Sequence, residues 1–409
     1  MYNRTDHPIE YSALTRSITT RRDQLVRRKF NFIDYGFKSF FVPIGGDIQE
    51  AINRAEDVGG GIILLGAGTH SPSSNIALPV LTPIQIVGTN TTSTIIDFGS
   101  ADRRFILAGS GIYTTGTVSI TSGVTVTGVT TAWLSSGLVV GDQIFLDSRW
   151  YEIAAITGDT TIILSEGYGG SALSGATYRA GSIVKDVEFK ELTIKNSTST
   201  SGAVDADDIR NFILEDVNFV SNNKSAVITN FSEWNANRIV SASATGDGFT
   251  FTTGTFCTNS QFANVANGGH GCVLNGVKKG SFTSSSTTSN TNDGFNLTSC
   301  TSIHFVIGDM NSNGGQGIEL VSGNSFISVV VCAIENNTSD GIKLTASSDD
   351  CRVVSSQLKS NGGYGINIAA STCDNNTVLG NFFVSNVTAA SNDSGTGTLI
   401  RSNIGLADN

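Results

Sequence analysis

A mark returns at a nearly fixed interval through the second half of the chain, and that interval decides what the chain can fold into. From Gly202 it falls at Ser225, Gly248, Gly271, Gly294, Gly317, Gly341 and Gly365, in steps of 23, 23, 23, 23, 23, 24 and 24 residues. One residue after each mark stands an apolar residue: Ala203, Ala226, Phe249, Cys272, Phe295, Ile318, Ile342 and Ile366. Three after it come Asp205, Ile228, Phe251, Leu274, Leu297, Leu320, Leu344 and Ile368, apolar in all but the first. The residues between them grow steadily more polar, so each unit alternates in–out–in with the period of a strand. A second strand follows in each unit, as in FILEDVNF, VVVCAIE and NTVLGNFF. Strands recurring this way, with no helix between them, predict a parallel solenoid whose coils stack at about 4.8 Å.

A second column runs beside the first. Four residues before successive marks stand Asn267, Asn290, Asn313, Asn337 and Asn361, and Asn386 continues the series. Stacked asparagines at a turn can pass amide hydrogen bonds from coil to coil. A solenoid also needs its open end covered. Asp47 is placed to cap a helix with Ile48, Ala51, Ile52, Ala55 and Val58 on one side, and Gly59-Gly60-Gly61 stops it before the strand IILLGAGTH.

Composition agrees. Charged residues are only 15%, yet 39% is hydrophobic, too much for a disordered chain. Residues 1–45 hold eight Lys/Arg against four acids, while the remainder is acidic enough to bring the chain to −10. An acidic body argues against nucleic acid as a partner. No apolar run reaches the ~20 residues of a membrane span, and no secretory h-region opens the chain. The six cysteines have no metal-type pairing and read as small buried residues, with Cys351 and Cys373 near enough for a disulfide to be considered. No metal or other cofactor is expected.

The run DIQEAINRAEDVGGGIILLGAGTH, with the NGGxGI and NDGF coils, resembles the pectate-lyase-like right-handed β-helix superfamily, and is most like its bacteriophage tailspikes. That resemblance implies an all-β, right-handed parallel β-helix. The expected divisions are an N-terminal helical head (1–45), a helix cap with the first coils (46–110), an inserted small β-domain (111–180), the main helix (181–390) and a C-terminal cap or tail (391–409). Within the head, Tyr11, Leu14, Ile18 and Leu25 suit one short helix. Between Tyr113 and Ala180 the ruler fails, and short strands separated by Gly, Asp and Ser turns resemble modules of phage fibres.

The superfamily's pectinase-like hydrolases carry NTD, DD and GHG signatures. Here Asn290-Thr291-Asn292-Asp293, Asp349-Asp350 and Gly269-His270-Gly271 imitate them, but in the wrong order and without the Arg-x-Lys that should follow. The ruler accounts for the fragments better, because His270 occupies the column of Asp247, Asp293, Gln316, Asp340 and Tyr364. Asp247, His270 and Asp293 nevertheless fall on consecutive coils, where two carboxylates and a histidine could serve glycosidic cleavage. Glu233, beside Trp234, and Asp205, an acid where the repeat wants an apolar residue, complete the catalytic candidates. Trp234, Trp133, Trp150 and Tyr151 are candidate sugar platforms, weighed against burial in a core. The sequence therefore leads first to a virion tailspike, made in the host cytoplasm and trimeric, that attaches to host cell-surface polysaccharide, with degradation of that polysaccharide left open. Its basic head would meet tail or adaptor proteins. A free polysaccharide lyase or hydrolase, and a purely structural solenoid, stay open beside it.

Overall fold

The computed structural model describes residues 38–405. The helix expected over 9–30 lies outside them. One parallel ladder of 27 strands winds through the chain, and every coil presents three faces. On the first face Phe105, Val204, Ala226, Phe249, Cys272, Phe295, Ile318, Ile342 and Ile366 stand in register. On the second, Ile63, Ile86, Phe189, Leu214 and Ala236 begin a column that ends at Val353, Val378 and Ile400. The third stacks Ile96, Ile194 and Phe219 above Met310, Ile334, Leu358 and Phe383. These columns are the core, and nearly all of their side chains are fully buried.

The ruler has a steric cause. A Cβ placed on Gly271 would stand 2.6 Å from the carbonyl oxygen of Gly294 on the next coil, and the same clash meets Gly248, Gly294, Gly317, Gly341 and Gly365. At these six marks glycine lets the coils approach, whereas Ala203 and Ser225 hold the same column on the upper coils. Beside it the asparagines form a continuous ladder. Each Nδ2 donates to the next Oδ1, from Asn267 through Asn290, Asn313, Asn337 and Asn361 to Asn386, at 2.9–3.0 Å. Each backbone N–H donates to the same oxygen, so donors at a buried corner are satisfied without water.

The cap forms as its sequence requires. The helix Ile48–Glu56 starts at Asp47, whose carboxylate accepts from the N–H groups of Gln49 and Glu50. Ile48, Ala51, Ile52 and Ala55 are buried against the first coil, but Val58 lies past the helix and is exposed.

Other expectations are corrected. Residues Lys38–Val42 of the expected helical head are a strand, paired with Gly61–Leu65. The coils run on past 390: Ala389–Asp393 and Leu399–Arg401 still pair with the rungs above them. Cys351 and Cys373 are buried and free, like the other four cysteines. Asp205 is also displaced. Val204, not Ala203, pairs with Ala226, so the mark of that coil is Ala203. A one-residue slip turns a side chain to the opposite face. Asp205 therefore points outward, in the column of Val227 and Thr250, and is no breach of the core.

Between Ser110 and Ser182 the chain leaves the solenoid and builds an eight-stranded antiparallel sheet around its own core of Trp133, Tyr151, Tyr178 and aliphatic residues. Arg149–Gly158 and Thr161–Leu164 form its central hairpin. Three of the contacts that fasten the module to the solenoid are close polar ones. The Arg179 guanidinium forks onto Asp208 at 2.7 and 2.5 Å, Lys278 reaches Asp147 at 2.5 Å, and the Trp150 indole donates to the Asn230 carbonyl at 2.6 Å.

Candidate carbohydrate-binding face

The outward column of the first face runs Asp205, Val227, Thr250, Val273, Asn296, Glu319, Lys343 and Asn367. The module docks at the corner beside its upper end, on Asp208, Asn230 and Lys278. Three charged clusters border this strip, and they are separate.

The first surrounds Asp205. Its carboxylate takes the Arg104 Nε at 3.0 Å, while Arg104 also reaches Asp102 and Ser199. Burial raises the Asp205 carboxyl above its ordinary value; Arg104 opposes this and the charge of Asp207 adds to it. Asp207 is held by Asn230 at 2.8 Å.

The second lies where module meets solenoid. Glu166, on the module, takes Arg149 at 3.1 and 3.3 Å. Glu233, at the corner following the first face, stands 3.9 Å from Arg149 and 3.8 Å from Arg210. Arg210 in turn lies 3.9 Å from Glu166 and donates to Gln143. Two carboxylates and two guanidiniums thus balance one another in a partly open cleft.

The third is the column before the glycine marks. Asp247 accepts the His270 N–H at 2.9 Å and pairs with Lys224 at 3.4 Å. Asp293 accepts the Gln316 N–H and the Asn296 amide at 2.8 and 3.0 Å, and it is nearly buried. His270 Nδ1 lies 3.2 Å from the Asp293 nitrogen and 3.1 Å from its Oδ2. Unprotonated there, the ring accepts the N–H; protonated, it donates to the carboxylate; it cannot do both. Burial works against the charged ring, but the hydrogen bond and charge of Asp293, with Asp247 and Glu319 adding, prevail and raise its pKa. The Asp293 carboxyl is lowered: burial opposes, and His270, Asn296 and the Gln316 N–H outweigh it.

Asp340 accepts the Tyr364 N–H in the same way, two coils further on. The acids of this column therefore cap the following coil. The glycine before His270 serves the packing too, since a Cβ on Gly269 would meet Asp247 Oδ1 at 2.4 Å. Asp205 lies three rungs, about 14 Å, from the His270 coil, and Glu233 stands at the opposite corner of the first face. The five catalytic candidates are not brought into one constellation.

Residues 245–404 match the family model for a right-handed β-helix region. The chain is a right-handed parallel β-helix. The A-module of the Azotobacter vinelandii mannuronan C-5 epimerase AlgE4 superposes with a TM-score of 0.56 at 14% identity, over 87% of this chain and 94% of that one. The catalytic domain of a GH87 α-1,3-glucanase, solved with tetrasaccharides, gives 0.56 at 12% identity, over 90% and 69%. The tailspike gp49 of Pseudomonas phage LKA1 gives 0.51 at 14% identity, over 88% and 74%. At such identities the likeness is one of fold. No curated protein matches the chain in sequence.

The aromatic platforms expected from the sequence are corrected by burial. Trp234 is 0% exposed inside the β-helix, edge-on to Phe212 and Phe251, with its indole N–H on Asn259. Trp133 and Tyr151 fill the module core, and Trp150 is sealed at the docking seam. None presents a ring face to a ligand. Sequence reasoning missed Glu166, Arg149, Arg179 and Arg210. Their partners lie 17 to 84 residues away in sequence, and no local pattern announces such pairs.

Proposed function

We propose that this β-helix is a host-attachment protein of the tailspike kind, which binds cell-surface polysaccharide along its first face beside the inserted module. The observation that carries the reading is the strip itself, bordered by the docked module. It offers Asp207, Thr252, Asn275 and Asn296 as outward hydrogen-bonding groups, and the charge-balanced Glu166–Arg149–Arg210–Glu233 cleft closes one end. Sugar hydroxyls both donate and accept, and such a mixed surface meets both needs. The basic head would engage tail or adaptor proteins, and the protein would assemble as a homotrimer on the virion. Exposed Ile307 and Val331, outward on neighbouring coils, support a subunit contact. Glycan-array binding, followed by light scattering on the purified protein, tests both parts. A monomer that retains no glycan would overturn them.

Cleavage is the second reading, favoured by one proximity. Arg149 Nη2 lies 3.1 Å from Glu166 Oε1 and 3.9 Å from Glu233 Oε1, so these two oxygens are at most 7.0 Å apart. Carboxylate pairs about 5–9.5 Å apart are those that hydrolyse glycosidic bonds. Reducing ends released from a bound polysaccharide by wild type, and abolished in both Glu166→Gln and Glu233→Gln, would establish it. Equal release by the variants would exclude this pair.

A further inference from the structure

The second face carries a depression of about 340 Å³, lined by His304, Phe326, Ser328, Asp350, Arg352 and Asn375. His304, Ser328, Arg352 and Thr377 form one outward register column on successive rungs, so His304 and Arg352 stand roughly 10 Å apart across the floor. Phe326 and Asp350 rise from the neighbouring corner, in the turn before the rung.

Two features of this place do nothing for the fold. Phe326 is 55% exposed with its backbone in the left-handed region at φ 57°. The same corner on other coils carries Glu233, Phe256, Lys279, Ser302, Asp350 and Asn375 at similar φ; the Phe256 ring is covered by the Arg149 and Lys279 cations, a cover that Phe326 lacks among the described residues. A phenylalanine there adds nothing to the core and holds a ring in solvent. Arg352 is the second. Arg104, Arg149, Arg179, Arg210 and Arg238 all sit in ion pairs, whereas Arg352 makes none and no side-chain hydrogen bond among the described residues. Asp350 lines the same depression and does not pair with it.

We propose that this depression binds one anionic sugar residue of a polysaccharide: Arg352 forks onto its carboxylate, and the ring of Phe326 packs on the apolar face of the sugar. A guanidinium matches a carboxylate with two parallel hydrogen bonds, and an aromatic ring covers the C–H face of a pyranose. Asp350, Asn375 and Ser328 then take the hydroxyls, and His304 closes the far end. Asp350 accepts hydroxyl hydrogens without neutralising Arg352, which sets the orientation of the bound residue. The site rests on the polysaccharide reading for its ligand class only, since it lies on a different face from the first strip.

The test titrates the full chain with a galacturonate hexamer, a sulfated maltohexaose and neutral maltohexaose, by calorimetry. Arg352→Gln and Phe326→Ser keep an outward polar residue and a serine already used at this corner, so both should fold. The expected result is galacturonate binding weakened at least tenfold in Arg352→Gln and several-fold in Phe326→Ser, with Arg54→Gln, an exposed arginine of the cap helix, unchanged and maltohexaose bound more weakly throughout. Tighter binding of the sulfated sugar, again lost in Arg352→Gln, would keep the site and change its anion. Galacturonate binding within twofold of wild type in Arg352→Gln overturns the proposal, as does wild type that binds none of the anionic probes. Loss in Glu233→Gln alone would leave the first-face reading standing and remove this one.

Discussion

The two halves of the solenoid hold the same pitch by different means. Upstream of about residue 265, long strands such as Val204–Val220, Ala226–Ala242 and Phe249–Val265 run around the corners without a break, and rings fill the interior. Phe105, Phe189, Phe212, Trp234 and Phe251 follow one another with centroids 4.8–5.2 Å apart. Downstream, the rings run on only through Phe282, Phe295 and Phe305; beyond them strands such as Ile342–Leu344 and Arg352–Val354 shrink to three residues, aliphatic side chains and cysteines predominate, and the corners are sewn by asparagine. The family model matches this second half, and the module docks on the first. Aromatic packing is bulky and plastic enough to leave room for an insertion. An amide ladder demands one residue type at one spacing, which is why it is the half whose sequence declares itself.

Removing the ring at the centre of the first half should have the largest effect. Trp234→Ala strips a fully buried side chain that touches three phenylalanines and orphans the Asn259 carboxamide oxygen. A loss of ~4 kcal/mol is expected in urea unfolding, with the unfolding of neighbouring coils becoming a separate transition. Arg179→Ala comes next. Asp208 keeps only 3% side-chain exposure, and without its fork a buried carboxylate is left uncompensated, at a cost of ~3 kcal/mol. Module amides should then exchange faster than those of the ladder half; uniform exchange would show that the docking seam is not held there.

In the ladder half, Asn313→Ala takes the acceptor away from both the Asn290 amide and the Asn290 N–H, and it leaves Asn337 Oδ1 with only the backbone N–H of residue 313 as a donor. Unmet buried groups of this kind cost about 2 kcal/mol in sum, since the gap admits some relaxation. Hydrogen exchange should spread the loss two coils in either direction and no further.

Much of this contrast was readable before the fold was seen. The glycine ruler, the asparagine column and the Asp47 cap each follow from a local rule that one residue type obeys. The rest escaped for stated reasons. Gly202 and Ala203 are both small, so nothing local fixed which of them is the mark, and the slip turned Asp205 the wrong way. A second buried ladder runs from Cys332 through Ser356 and Asn381 to Asn403, each N–H donating to the next side chain, but its changing residue types hid it. Tryptophans flank outward acids in the sequence at Glu233-Trp234, and alternation alone made the tryptophan inward; its reading as a platform gave weight to the neighbour over the period. Pairs across the docking seam depend on a module orientation that no repeat encodes.

The smallest expected effect concerns pH and sets His270 against Asp205, one in each half. The His270 pKa is raised in the fold, so its contribution to stability is fully present below the ordinary histidine value of about 6.5 and is lost as pH rises through the higher folded value. Asp293 is lowered, so its contribution is present above about 3.8 and is lost as pH falls further. Together they give a window between roughly pH 4 and 6.5 in which the charged pair helps the ladder half. Asp205, raised by burial, does the opposite: acidification toward about pH 4 protonates it in the fold first and favours folding of the upper coils. Exchange rates measured coil by coil should therefore show the His270 rung loosening from pH 6 to 8, an effect absent in His270→Gln. Between pH 5 and 4 the Asp205 rung should tighten, except in Asp205→Asn. If both rungs respond alike in the wild type, their two carboxylates do not differ as their surroundings require.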